Sequence, residues 1–154
     1  MMEKVFRPAS RLVIIKENKI LLCKMWYWWW LPGGGLDWWE SIQTALNRES
    51  VEELWIPAVF DKVLFIQDFL VEFHDIQTHN HALEYFCTIK NNSDFFNVVD
   101  TYHNSTHAHE LSDLNWFSID EIPENMRPLN FIPVLEKYLE NPDNIQWVYE
   151  TWIN

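Results

Sequence analysis

All three glycines of this 154-residue chain are contiguous, at Gly33, Gly34 and Gly35. Average usage of about 7% would supply about eleven. Almost everywhere else, then, the backbone must turn without the residue that takes φ > 0 at no steric cost. Close backbone approach is concentrated at Pro32-Gly33-Gly34-Gly35, a loop that a phosphate or a metal ion can come near. After it come the acid Glu40 and an expected helix from Ile42 to Leu54, with Ser41 as N-cap and Pro57 helping to stop it.

That helix carries carboxylates where apolar residues belong. On a wheel with Ile42 as origin, Glu49 and Glu53 fall within about 20° of it, flanked by Ala45 and Leu46. Glu52 lies on the flank of the same stripe, while Gln43, Thr44, Asn47 and Arg48 point elsewhere. Inward-facing carboxylates are costly unless a positive group meets them. Side chains at i, i+3 and i, i+4 converge, so a divalent ion is one partner. On the helix alone, a solvated end with Arg48 pairing Glu52 at i, i+4 stands as the alternative. The glycine loop and Glu40 just before it favour metal-bound diphosphate.

The remaining pattern is mixed α/β. Leu12–Ile15 and Ile20–Cys23 flank Glu17-Asn18-Lys19 and read as a hairpin, and Trp30-Leu31-Pro32 as a short strand. Val59–Phe73 should hold one or two strands, and His81–Lys90 another with Leu83, Tyr85, Cys87 and Ile89 on one face. A polar loop around a weak strand near Phe95–Val99 is expected over Asn91–Ser112, then a strand over Leu114–Ile119. Asn130 would cap a second helix, Phe131–Glu140. The alternating tail, Ile145–Asn154, reads as either an extra strand or a partner surface, which leaves a homodimer open. No linker divides the chain, so residues 1–154 are expected to share one core.

Composition narrows the partners. Eleven Lys and Arg against 23 Asp and Glu leave a formal charge of −12. Such a chain repels a phosphate backbone, which argues against nucleic acid but not against a small anion met through metal ions. Met1–Arg11 lacks a signal-peptide core, and no apolar run suits a membrane span. Cys23 and Cys87 sit in apolar runs and read as buried thiols rather than a disulfide, in a cytoplasmic protein.

Gly34, five residues, Glu40, seven residues, then Arg48-Glu49-Ser50-Val51-Glu52-Glu53-Leu54-Trp55-Ile56 resembles the box of the Nudix hydrolase family, G-x5-E-x7-R-E-U-x-E-E-x-G-U, with U a bulky aliphatic. All five charged positions match in type and spacing over residues 34–56. Leu31-Pro32-Gly33-Gly34-Gly35 is similar to the family's usual approach to the box, and the opening hairpin and Leu114–Ile122 fit its layout. Ser50 replaces an aliphatic residue, Trp55 replaces Gly, and Trp39 stands where relatives usually carry Gly.

The resemblance implies an α/β/α sandwich with a mixed sheet. It also implies metal-dependent cleavage of the diphosphate linkage of a nucleoside diphosphate derivative such as ADP-ribose. Nucleoside triphosphates would be the second substrate class, and an inactive nucleotide-binding module a further reading. Carried over, Glu49, Glu52, Glu53 and the Gly33 carbonyl would hold Mg²⁺ or Mn²⁺. Glu40 would sit outside them or reach a second ion, and Arg48 would orient the glutamates. Glu53, Glu49 or the loop residue Glu110, six residues before Trp116, would take the proton from an attacking water.

The histidine pairs His79/His81 and His107/His109 are read as loop polarity or substrate contact rather than zinc ligands, since no cysteine partners them. Tyr85-Phe86 and Phe95-Phe96 are expected in the core. Ten tryptophans, six between Trp26 and Trp39, are abnormal. A base-stacking wall and an adventitious sticky surface are two readings. A third fits better. UGA is read as Trp in some genetic codes and as Gly in others, and translation under the wrong one would exchange glycine for tryptophan. Trp39 and Trp55 would then be glycines, whereas Trp30 and Trp116 stand where relatives often carry Trp.

Overall fold

The alternation of apolar residues along the strands sends neighbouring side chains to two different cores. The computed structural model describes residues 3–73, 78–143 and 148–153. A five-stranded mixed sheet is built from β1 (Glu3–Val13), β5 (Gly33–Gly35), β6 (Phe60–Phe73), β7 (Thr78–Ile89) and β9 (Val148–Ile153). Its order is β5-β1-β7-β6-β9, with β1/β7 and β6/β9 parallel and the other pairs antiparallel. The second sheet is antiparallel: β3 (Lys19–Met25) is flanked along its length by β2 (Ile15–Lys16), β4 (Trp28–Trp30) and β8 (Asp113–Ser118).

Leu12, Leu21, Cys23 and Cys87 pack under α1 (Ile42–Leu54) with Leu46 and Leu54. Their chain neighbours Val13, Ile20, Leu22 and Phe86 face the opposite way, toward Val134 and Leu135 of the C-terminal helix Ile132–Glu140. Phe65, Phe86 and Phe131 lock that second core with ring centroids 5.0–5.6 Å apart. Each fully buried ring contributes on the order of 2–3 kcal/mol. Helices on opposite faces of the sheets make the α/β/α sandwich implied by the resemblance.

Several expectations need correction. The opening hairpin is real only from Ile14 onward, where the Ile14 carbonyl accepts the Leu21 N–H at 3.1 Å. At Ile14 the chain changes sheets, so Leu12 and Val13 pair with β7, 75 positions on, rather than with β3. The glycine run is a strand, held antiparallel to β1 by Ala9↔Gly35 and Arg11↔Gly33. Phe95–Val99 forms no strand. The region winds through a 3-10 turn, Asn92–Phe95, into the short helix α2 (Val98–Thr101), which lets Phe95 and Val98 both drop into the core while Phe96 stays at the surface. Asn130 is not the N-cap of the last helix, α3: that position is Phe131, and Asn130 Nδ2 donates to Gln67 Oε1 at 2.7 Å. The tail supplies β9, with 145–147 and 154 outside the described residues.

Ser41 does cap α1, its Oγ accepting the Thr44 N–H at 3.1 Å. Both thiols are free and buried, and burial pushes Cys87 up to about 12 and Cys23 higher still. Among the described residues no helix is long and apolar enough to cross a membrane.

Candidate active site

The inner face of α1 meets the glycine strand at a cavity of about 410 Å³. Its walls include Gly33–Gly35, Glu49, Glu53, Glu84 and Glu110, with Arg7 and Arg11. Glycine is required here by contact as well as by conformation. Gly33 has φ +134°, and a Cβ on it would sit 2.1 Å from the Ser10 carbonyl oxygen. A Cβ on Gly34 would sit 2.6 Å from Glu49 Oε1. The bare strand therefore lets a carboxylate lie directly against backbone.

Glu53 is buried and accepts the Gly33 N–H through Oε2 at 3.0 Å. Burial pushes its carboxyl up to about 7, against the opposing pull of the Gly33 N–H and of Arg11. Glu49 is also raised, by burial first, despite its contact with Arg48. The helix is fixed behind them: Ser105 Oγ donates to the Glu53 carbonyl at 2.8 Å and the His107 N–H to the Glu52 carbonyl at 2.7 Å.

Arg48 gathers the other box residues. Its Nε and Nη2 grip both Glu40 oxygens at 2.8 and 2.9 Å, and Nη2 also reaches the Gly35 carbonyl at 2.9 Å. Nη1 donates to Glu49 Oε1 at 3.0 Å and to Glu52 Oε2 at 3.2 Å. Those hydrogen bonds hold Glu40 below the ordinary carboxylate range. Glu40 is thus tied to Arg48 with both oxygens.

The donors are all oxygen, as a hard divalent cation requires. Glu53, buried beside other carboxylates, is the one that such a charge would relieve most. Among the described residues, however, no three His, Cys, Asp or Glu side chains converge closely enough to enclose an ion as they stand. Arg48 holds one oxygen each of Glu49 and Glu52. Each keeps one oxygen, Glu49 Oε2 and Glu52 Oε1, outside those bonds. The Gly33 carbonyl accepts from Arg11 Nη1 at 3.2 Å and has a second lone pair to offer. In chemistry, the donor set fits a hard divalent cation.

Glu110 reaches the same cavity from the 3-10 turn Ala108–Glu110, with His107 Nδ1 3.7 Å from its Oε1 and 3.2 Å from Glu52 Oε2. His109 stacks edgewise on His107, and His81 Nε2 meets Asp68 at 2.9 Å away from this cavity. The side chain of His79 lies outside the described residues. Sequence reading missed Arg7, Arg11 and Glu84. The first two alternate with Ala9 on one face of β1, a period-2 signal that was available, but their meeting with Glu84 depends on the β1/β7 pairing.

A carboxylate helix thus faces a glycine strand across this cavity, in a fold with helices on both faces of its sheets. The model of the NUDIX domain matches residues 5–138, and the chain belongs to that family. Comparison with curated proteins gave no match. Among solved structures, an ADP-ribose pyrophosphatase from Streptococcus suis is similar at 17% identity and TM-score 0.63, over 94% of this chain and 98% of that one. A UDP-X diphosphatase is similar at 20% identity and TM-score 0.65, over 94% and 67%. A MutT NUDIX hydrolase from Burkholderia pseudomallei is similar at 23% identity and TM-score 0.61, over 86% and 97%. At these identities the likeness speaks for the fold.

Proposed function

We propose that this protein hydrolyses the diphosphate linkage of a nucleoside diphosphate derivative, with ADP-ribose the first candidate, using Mg²⁺ or Mn²⁺ held by Glu49, Glu52, Glu53 and the Gly33 carbonyl. The observation that carries the reading is the buried Glu53, gripped by the Gly33 N–H with Glu49 beside it on the wall of the cavity. When bound, divalent ions withdraw charge from phosphate oxygens and acidify a water. The chain's own part is positional. Gly34 leaves room for Glu49, Arg48 braces Glu40, Glu49 and Glu52, and Ser105 and the His107 amide fix the turn that presents Glu53.

Glu53, Glu49 and Glu110, all on the cavity wall, are the candidates to receive the proton of the attacking water. Free buried thiols suit a reducing, cytoplasmic setting.

A nucleotide-binding module without catalysis is the second reading, favoured by Trp39, just before Glu40, and Trp55, at the end of α1, which take φ 67° and 65°. A panel of nucleoside diphosphate derivatives and nucleoside triphosphates, with Mg²⁺ or Mn²⁺, separates the readings. Two monophosphate products support the proposal, and pyrophosphate release transfers it to triphosphates. Nucleotide binding without any product supports the module.

A further inference from the structure

We infer that Arg7 receives a substrate phosphate not held by the metal ions, and thereby helps to set substrate specificity. This rests on the hydrolase reading above. Arg7, Ala9 and Arg11 share one face of β1, and all three line the carboxylate cavity. The two arginines differ in what is left to bind with. Arg11 is fully committed: Nε and Nη2 hold Glu84 at 3.1 and 2.7 Å, and Nη1 holds the Leu31 and Gly33 carbonyls at 3.4 and 3.2 Å. Burial disfavours the Arg11 charge, and Glu84 more than restores it.

Arg7 is exposed, and among the described residues its guanidinium has no hydrogen bond or ion pair. Its guanidinium lies against the glycine strand, where a Cβ on Gly35 would meet Nη2 at 3.4 Å. Four carboxylates, Glu49, Glu53, Glu84 and Glu110, line the same cavity in a chain of charge −12. A diphosphate entering that field needs a cation that is not already neutralised, and a guanidinium grips phosphate with two parallel hydrogen bonds. Arg7 supplies that fork.

Steady-state kinetics of Arg7→Ala and Arg7→Lys with the best substrate of the panel test this. The expected result is a KM raised about tenfold or more in Arg7→Ala with kcat nearly unchanged, and partial recovery in Arg7→Lys. Calorimetric titration with inorganic pyrophosphate and Mg²⁺ should show the same weakening without relying on turnover. Unchanged KM and unchanged pyrophosphate affinity would overturn the assignment of Arg7. Absence of hydrolysis by the unsubstituted protein would overturn the hydrolase reading instead, while the titration still decides on Arg7.

A different observation carries a second inference. Among the described residues, five non-glycine residues have φ > 0, and three are tryptophans: Trp26 at 59°, Trp39 at 67° and Trp55 at 65°. The other two, Glu17 and Asn18, form the β2/β3 turn, and Asn tolerates this region well. Each tryptophan occupies a place that glycine normally takes. Trp26 is the first residue of the two-residue turn between β3 and β4. Trp55 is the left-handed residue ending α1, its N–H bonding the Val51 carbonyl at 3.0 Å. Their indoles are largely in solvent, 93%, 92% and 56% exposed for Trp26, Trp39 and Trp55. Trp29 is buried, and Trp30 and Trp116 pack against a core, none with φ > 0.

We propose that positions 26, 39 and 55 are encoded by UGA and are read as glycine in the source organism, while Trp29, Trp30 and Trp116 are true tryptophans encoded by UGG. The gene sequence and peptide mass spectrometry of the protein from its source cells decide it. UGA codons with glycine in the peptides are expected. UGG at all three positions, or tryptophan in the peptides, would overturn it. As a check on the folded protein, Trp26→Gly should raise Tm, and a lowered Tm would count against a glycine at that turn.

Discussion

The glycine strand and the tryptophan turns ask the same thing of the backbone and answer it in opposite ways. At Gly33 the chain takes φ +134° and passes so close to Ser10 that no side chain fits. At Trp26, Trp39 and Trp55 it takes φ near 60°, but the space outside is open and the indoles point into it. In the first region the missing side chain forms the site, because it lets Glu53 and Glu49 lie against main chain. In the second, the indole adds strain and gains little burial. Removing a glycine should therefore damage the protein, and restoring one at the tryptophan turns should improve it.

Gly33→Ala is the largest expected effect. A Cβ 2.1 Å from a backbone oxygen, at a φ that alanine rarely takes, should destabilise the fold by roughly 3 kcal/mol or more. Denaturant unfolding measures it. In the other region, Trp39→Gly with Trp55→Gly should stabilise by about 2 kcal/mol together, since each relieves left-handed strain on a bulky residue. Their combined Tm should rise by several degrees, and a fall would show that the indoles are packed native features.

The burial that raises Glu53 sharpens the comparison through pH. Its folded value, about 7, lies above its ordinary value of 4.5, so the native state binds more protons between them. Its contribution therefore falls as pH rises from about 5 to 8. Relative to Glu53→Gln in metal-free buffer, the unsubstituted protein should lose on the order of 2–3 kcal/mol across that window. Gly34→Ala is the mildest change. It meets only the flexible end of Glu49, so the fold should persist while turnover drops about tenfold as that carboxylate is displaced. Paired thermal melts and rate measurements separate the two effects.

The elements built from local signals were legible in the sequence. The Ser41 cap, the 13-residue helix and its inward carboxylate stripe follow from spacing alone, and Glu49 and Glu53 are indeed buried. What was not legible depends on long-range pairing. Nothing near Ile14 announces that the chain changes sheets there, and the Arg7–Arg11 face acquires a role only when β1 lies parallel to β7. The glycine run reads as a loop because its strand character comes from β1, not from its own propensity. Phe95–Val99 has the composition of a strand, yet two helical turns bury Phe95 and Val98 together, and tertiary packing outweighs that preference.

The central claim is that Glu49 and Glu53 on the inner face of α1 carry metal-assisted hydrolysis. The most direct measurement is turnover of the preferred diphosphate substrate with Mg²⁺ or Mn²⁺ by Glu53→Gln, Glu49→Gln and the combined variant, with thermal melts run alongside. Turnover is predicted to fall at least about a hundredfold in each single variant, equivalent to roughly 3 kcal/mol of transition-state stabilisation, with the fold intact. Near-normal turnover in the combined variant would contradict the account.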